Sequence, residues 1–309
     1  MLYGDVSLCD EQDYNRHKVT RPPTYKVARP RDHSHKASEV AMQNKDYKYI
    51  YGPVPSWRLG SSLGVDLLSQ KDKICAFDCV YCQIGDTPVK TAERGIYVPT
   101  DKVIKEIESL PRDISIDYIT FSGKGEPTLA GNLGEAIKRI RGVRKEKIAV
   151  ITNSALMSDK SVRDELALAD LVMVKLDAAT PESFEKINRP ADGVRFNDIV
   201  EGIKAFRKEP HTKLAIQIMF IEANKDEYKE IAKLAFEVEP DEIQINTPLR
   251  PCGVRPLPRR DIAPIKKYFE DYGGRIRSKA KIAVVYDAEQ IEVRVLNKTE
   301  TLRRRGVIK

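Results

Sequence analysis

KIAVITNSALMSDKSVRDELALADLVMVKLD, residues 147–177, decides the fold. It opens on a short β-branched run, KIAVITNS (147–154). It then passes through a stretch with helical spacing (159–168), for which Ser158 is the expected N-cap, and closes on a second apolar run, LVMVKLD (171–177). Apolar runs of this length read as strands buried on both faces. Strand, helix and strand in that order make a right-handed crossover with the two strands parallel.

The same unit repeats to either side. IDYITFSG (116–123) precedes it, and KLAIQIMF (213–220) and EIQINTP (242–248) follow. Helical spacing is expected over 101–110, 130–142, 195–208 and 224–237. A last helix falls at about 261–271 and is closed by Gly273 and Gly274. With a first strand near 64–69 this gives about six repeats, and Gly123, Asn153, Asp177 and Asn246 recur at strand C-termini, the rim where (β/α) barrels assemble their chemistry. The expected fold class is α/β, a partial (β/α)6 TIM-type barrel over 51–275. An irregular arm precedes it at 1–50, and a basic extension follows at 276–309, where KIAVVYDAEQIEVRVLN (281–297) reads as a β-hairpin turning near residues 287–290.

With 41% apolar and 32% charged residues, the composition supports a globular core. No stretch approaches the roughly 18–20 uncharged apolar residues of a membrane helix, and the N-terminus lacks the charged-then-apolar pattern of a signal peptide. A cytoplasmic location without membrane attachment is the expectation. The formal charge of +7 is uneven: residues 251–309 carry 15 Lys/Arg against 7 Asp/Glu, and residues 51–250 carry 29 against 32. The basic end, including Arg303, Arg304 and Arg305, is either a nucleic-acid contact surface or a solubilising tail.

Five cysteines in a reducing compartment do not form a disulfide framework. Three lie within eight residues, in Cys75-Ala-Phe-Asp-Cys79-Val-Tyr-Cys82. Three thiolates can each take one iron of a cubane cluster and leave the fourth iron open for a chelating small molecule. A structural zinc site would want a fourth Cys or His close by, and none occurs between residues 83 and 210. Cys9 and Cys252 stand alone and read as ordinary thiols. His33 and His35 are a metal pair or, more simply, part of a solvated loop. A second element, Phe-Ser-Gly123-Lys-Gly125-Glu126-Pro-Thr-Leu, ends the strand after the cysteine loop. Its glycines admit close backbone approach, and Glu126 with the backbone groups suits an ammonium.

The C-x3-C-x2-C spacing, with Tyr81 before the last cysteine, resembles the signature of the radical S-adenosylmethionine (SAM) superfamily. The resemblance implies a [4Fe–4S] cluster on Cys75, Cys79 and Cys82, with SAM chelating the open iron. One electron then cleaves SAM to methionine and a 5′-deoxyadenosyl radical that abstracts hydrogen from a substrate. It further implies a partial (β/α)6 barrel, an electron donor such as ferredoxin or flavodoxin, and Tyr81 beside the adenine. Gly123, Gly125 and Glu126 are similar to the Gly-Gly-Glu motif that binds the SAM amino group, with Lys124 between the glycines. Asn153, Lys175 and Asp177 match positions that contact the SAM ribose or carboxylate, and Asn246 a position that meets the adenine; for each the alternative is a simple turn or capping role.

YGPVPSWRLGSSLGVD (51–66), the cysteine loop and KLDAATPESFEKINRP (175–190) resemble one branch of that superfamily, grouped with the wyosine-forming tRNA enzymes (4-demethylwyosine synthases). Trp57 stands where a second arginine is expected. Those synthases hold a second cluster on upstream cysteines, whereas Cys9 is alone before residue 75. A single thiol cannot hold such a cluster, so the wyosine reaction itself is not expected; the relationship implies a nucleic-acid substrate, with tRNA base modification, without naming the reaction. The alternatives are radical modification or activation of a protein or small metabolite, and a non-enzymatic electron carrier.

Overall fold

The computed structural model describes residues 47–208, 212–289 and 291–307. Most of the expected arm, with Cys9, His33 and His35, lies outside the described residues. The strands in chain order are β1 (Ile50–Ser56), β2 (Gly60–Val65), β3 (Ile74–Cys75), β4 (Val89–Lys90), β5 (Tyr118–Phe121), β6 (Lys147–Thr152), β7 (Leu171–Lys175), β8 (Lys213–Met219), β9 (Glu242–Asn246) and β10 (Lys281–Val284). Eight of them form one curled half-barrel sheet in the order β1-β2-β5-β6-β7-β8-β9-β10, and β3 pairs with β4 apart from it. From β2 onward every pair is parallel; β1 joins β2 antiparallel. This is the partial barrel that the strand and helix pattern implies.

The two-residue period of a strand sorts its side chains between two environments. Ile148, Val150, Val172, Val174, Leu214, Ile216, Ile243 and Ile245 join the large core shared with the helices. Each such side chain contributes roughly 1.5–3 kcal/mol on burial. The alternate residues Ala149, Met173 and Ala215 face inward and pack with Leu59, from the turn between β1 and β2. That turn closes the N-terminal end of the half-barrel and leaves the C-terminal rim for the loops.

Helices occupy Thr100–Glu108, Leu133–Val143, Lys160–Leu166, Phe196–Phe206, Tyr228–Glu237 and Arg259–Arg275. The third is capped by Asp159, whose carboxylate accepts from the Ser161 amide, and not by Ser158. The last runs through Gly273 and Gly274 to Arg275, and Gly273 sits so close to the Phe236 ring that a Cβ would meet it at 2.9 Å. An additional helix, Pro181–Asn188, starts at a capping box of Thr180 and Ser183.

The expected C-terminal hairpin is not formed among the described residues. Residues 281–284 pair in parallel with β9 as the edge strand β10, and a 3-10 turn, Val285–Asp287, follows. Asp287 is held there by Arg259 and Lys266. The chain then reaches the opposite edge of the sheet, where Leu296 N donates to Gly52 O (2.7 Å) and a helix, Lys298–Arg304, packs against β1. Contacts to β1 take the place of a return strand on β10.

Candidate active site

The cysteine loop is closed at its base by the β3–β4 pair, and Thr91 N donates to Cys75 O. Within it, Cys82 N donates to Cys79 O (2.9 Å) and Gly85 N to Cys82 O (3.1 Å), so the second and third cysteines ride on consecutive turns. Phe77 anchors the loop edge-on against Phe184. Asp78 N and Val80 N donate to the carbonyls of Asn188 and Ile187 at the end of the Pro181–Asn188 helix.

Each of the three thiols has a side-chain N–H donor, and the three donors come from different parts of the chain. Asn153 Nδ2 lies 3.6 Å from Cys75 Sγ, Asn188 Nδ2 3.4 Å from Cys79 Sγ, and Lys73 Nζ 3.2 Å from Cys82 Sγ. Donors so placed stabilise charge on sulfur. Burial pushes the Cys75 thiol up to about 12, with Glu126 adding to the effect, and the Cys79 thiol up to about 11. Metal loading must therefore displace thiol protons. Among the described residues no three His, Cys, Asp or Glu side chains are disposed to share a single metal ion. Zinc needs its ligands converged on one point, whereas a cubane takes one thiolate at each of three separate irons. This donor set fits the cluster.

The glycine loop packs directly on the cysteine loop. Glu126 N donates to Ile74 O at 3.3 Å, and a Cβ on Gly125 would overlap that same carbonyl oxygen. A Cβ on Gly123 would overlap the carboxylate of Asp66, which accepts from Lys124 N at 3.3 Å. Glu126 is 2% exposed. Its Oε1 accepts from Thr128 N, Thr128 Oγ1 and Thr152 Oγ1 (2.6–3.0 Å), and its Oε2 from Asn153 N at 2.6 Å. Burial raises its carboxyl despite these donors. Here the side chain ties the end of β5 to the end of β6. The loop backbone, and Oε2 with its one donor from Asn153, are what remain for a ligand.

At the end of β7, Tyr81, Lys175, Asp177 and Asn188 form one buried network. The Tyr81 hydroxyl donates to Asp177 Oδ2, and Asn188 Nδ2 lies 3.1 Å from the same oxygen. Lys175 Nζ is 3.0 Å from Asp177 Oδ1 and 5.1 Å from the Tyr81 ring centre. Burial raises the Tyr81 hydroxyl well above its ordinary value, and the Asp177 charge raises it further. Met219 N also donates to Asp177 Oδ1, which fixes the carboxylate against β8. The structure thus brings together Cys75, Cys79, Cys82, Tyr81, Gly125, Glu126, Asn153, Lys175 and Asp177. Asn246 ends β9 as the register partner of Met219; its Oδ1 accepts from Thr247 N, and among the described residues it makes no hydrogen bond to this network.

Sequence reasoning missed Lys73, Asn188 and the inward glutamines. Gln217 and Gln244 are register partners on β8 and β9, and Lys175 is the partner of Gln217 on β7. Their ends lie 3.5 Å apart in sequence from Lys175 to Gln217 to Gln244, so a polar row crosses the inside of the sheet below Asp177. The alternation KLAIQIM and EIQIN is the signal that could have found it. Cys252, set aside as an ordinary thiol, packs on the group formed by Tyr81, Ile187 and Ile221.

The basic C-terminus is corrected most. Arg304 is 4% exposed and Arg305 8%, so neither belongs to a solvated tail. Arg304 pairs with buried Asp66, and exposed Arg303 pairs with Glu300. Arg259, Lys266, Lys267 and Arg294 of this region are also ion-paired. Among the described residues no helix is long and apolar enough to cross a membrane.

Residues 73–235 match the family described as the radical SAM superfamily. A UPF0026 protein of Synechocystis sp. is 39% identical over 220 residues, covering 70% of this chain and 80% of that protein. A solved structure of TYW1 with a lysine-pyruvate adduct bound superposes with a TM-score of 0.58 at 14% identity, covering 77% of this chain and 88% of that chain. Streptococcus suis SuiB bound to S-adenosylmethionine gives a TM-score of 0.54 at 16% identity; the match covers 69% of this chain and about half, 48%, of SuiB. At such identities these two structures show a shared fold.

Proposed function

Because this chain belongs to the radical SAM superfamily, we propose that Cys75, Cys79 and Cys82 are the three cluster ligands and that the adjoining rim holds SAM. The enzyme's cofactors are a [4Fe–4S] cluster and SAM. When bound and reduced, they supply a 5′-deoxyadenosyl radical. The observation that carries the assignment is a side-chain N–H donor for each sulfur, from Asn153, Asn188 and Lys73. Anaerobic reconstitution with iron counting of single Cys→Ala variants tests it.

The chain's own residues divide the remaining work. The backbone of Gly123 and Gly125, with Glu126, receives the SAM amino group. Asn153, Lys175 and Asp177 meet its carboxylate and ribose, and Tyr81 and Asn246 flank the adenine. Tyr81 is already held in place by Asp177 and Asn188. A ferredoxin or flavodoxin supplies the electron.

The substrate in this reading is a tRNA base. The sequence resemblance to the wyosine-forming branch supports it. So does the loop after β9, which carries exposed Arg255 and sends Arg250 Nη1 to Gln83 Oε1 (2.6 Å), one residue past Cys82. Arginine so placed suits phosphate contacts around an exposed base. Exposed Arg275, Arg277, Lys279 and Lys281 lie toward the N-terminal end of β10, the opposite end from the cysteines, and are not assigned to substrate. Mass spectrometry of tRNA nucleosides from a deletion strain and its parent is the test. Loss of one modified nucleoside is expected, and an unchanged profile would redirect the assignment to a protein or small metabolite.

A further inference from the structure

We infer that the C-terminal helix Lys298–Arg304 is a working part of the cofactor site, with Arg304 a positioning residue for SAM. This rests on the reading of residues 123–126 as a SAM-binding loop. The Arg304 side chain is 2% exposed, as is that of its partner Asp66, and Nη1 lies 2.5 Å from Asp66 Oδ2. Nη2 donates to Ser69 Oγ at 2.8 Å and to the Lys48 carbonyl, and the guanidinium lies over the Tyr51 ring at 5.5 Å.

Two routes lead from this guanidinium to the glycine loop. Asp66 Oδ2 accepts from Lys124 N, and its carboxylate fills the space where Gly123 has no Cβ. Tyr51 Oη lies 2.9 Å from the hydroxyl of Ser122, the residue before Gly123. The helix is tied to the edge of the sheet by Thr301, whose Oγ1 accepts from Gly52 N at 3.0 Å. Just beyond it, Gly306 packs so closely on the carbonyl of Gln83 that a Cβ would overlap that oxygen. One short segment therefore braces both the glycine loop and the end of the cysteine loop. Buried ion pairs are a poor source of stability compared with apolar packing and serve better to fix geometry. A fork of five donors on a planar group suits that task.

The test compares Arg304→Gln, Arg304→Lys and Thr301→Ala in the anaerobically reconstituted full chain. Iron content, thermal midpoint and SAM dissociation constant are measured for each. Arg304→Gln should weaken SAM binding by about tenfold or more with iron content retained, the range typical of lost supporting contacts around a site. Thr301→Ala removes the tie to Gly52 but leaves the Arg304–Asp66 pair in place; it should lower the midpoint, and for an equal loss of midpoint its loss of SAM affinity should be smaller than that of Arg304→Gln. If Arg304→Gln does not fold, Arg304→Lys, which keeps the charge but loses the fork, should show the same affinity loss in milder form. Wild-type affinity in the folded Arg304 variants, or losses in Arg304 and Thr301 variants that simply track the midpoint, would overturn the inference. Glu126→Gln separates the two levels. If it binds SAM normally, the loop assignment itself fails; if it weakens SAM while the Arg304 variants do not, the role of the helix alone fails.

Discussion

The Lys73 ammonium lies 3.2 Å from the sulfur of Cys82 and is fixed there by the Gly85 carbonyl at 2.8 Å. Lys73 is 7% exposed, so its charge is little screened by water. A positive charge beside a cluster thiolate favours the more negative, reduced state. Lys73→Met should therefore lower the cluster's midpoint potential while iron is retained, and Lys73→Arg should restore much of the difference. Spectroelectrochemistry of the SAM-free protein reads this directly; an unchanged potential in the methionine variant would remove Lys73 from the redox account.

The three cysteines should not be interchangeable with the fourth described one. Replacing Cys75, Cys79 or Cys82 by alanine should abolish the absorption near 400 nm and the roughly four irons per chain that a cubane requires. Cys252→Ala should keep both, since that sulfur touches the Val254 carbonyl and an apolar group. A stable cluster in any of the first three variants would contradict the ligand assignment.

Two glycines give opposite expectations. A Cβ on Gly125 would overlap the Ile74 carbonyl oxygen, whereas one on Gly142, in the helix Leu133–Val143, meets nothing within 4 Å. Gly125→Ala should cost about 1–3 kcal/mol or more and loosen the contact between the two loops. Gly142→Ala should gain about 0.5–1 kcal/mol. Denaturant midpoints and iron content distinguish them, and equal effects would contradict the packing described.

Neighbouring arginines should behave differently. Arg303 is 43% exposed at its side chain and pairs with Glu300, so Arg303→Ser should change stability by about 0–1 kcal/mol. Arg304→Ser leaves the Asp66 carboxylate buried without its cation and should cost about 3–5 kcal/mol. Chemical denaturation of the two single variants is sufficient. A triple replacement of Arg303, Arg304 and Arg305 would confound any RNA effect with this loss, so salt-dependent tRNA binding is better tested at Arg255.

The parallel sheet was legible because each of β5 to β9 is a β-branched run followed by an amphipathic stretch, a pattern that local sterics and burial impose. The cysteine and glycine loops stand out because each is a run of close sequence neighbours, and the structure packs one directly on the other. The helix Pro181–Asn188 was missed although Thr180, Pro181 and Ser183 spell its start. Residues 291–297 looked like a return strand because the apolar alternation was real; what the alternation cannot reveal is which edge of the sheet receives it. Arg304 was misread for the same reason. Its partner, Asp66, is 238 residues away, and a charge in a basic run says nothing about a distant buried carboxylate. Lys73 and Asn188 were invisible because their roles depend on where the cysteine loop folds back.

The central claim, that this chain's own rim cleaves SAM with a cluster on Cys75, Cys79 and Cys82, is tested most directly by one anaerobic assay. Reconstituted protein is reduced with dithionite in the presence of SAM, and 5′-deoxyadenosine and methionine are quantified by mass spectrometry. The wild-type chain should form the two products in equal amounts, slowly and without added substrate, and Cys79→Ala should form neither. Full cluster content with no 5′-deoxyadenosine, or undiminished product from Cys79→Ala, would contradict the account.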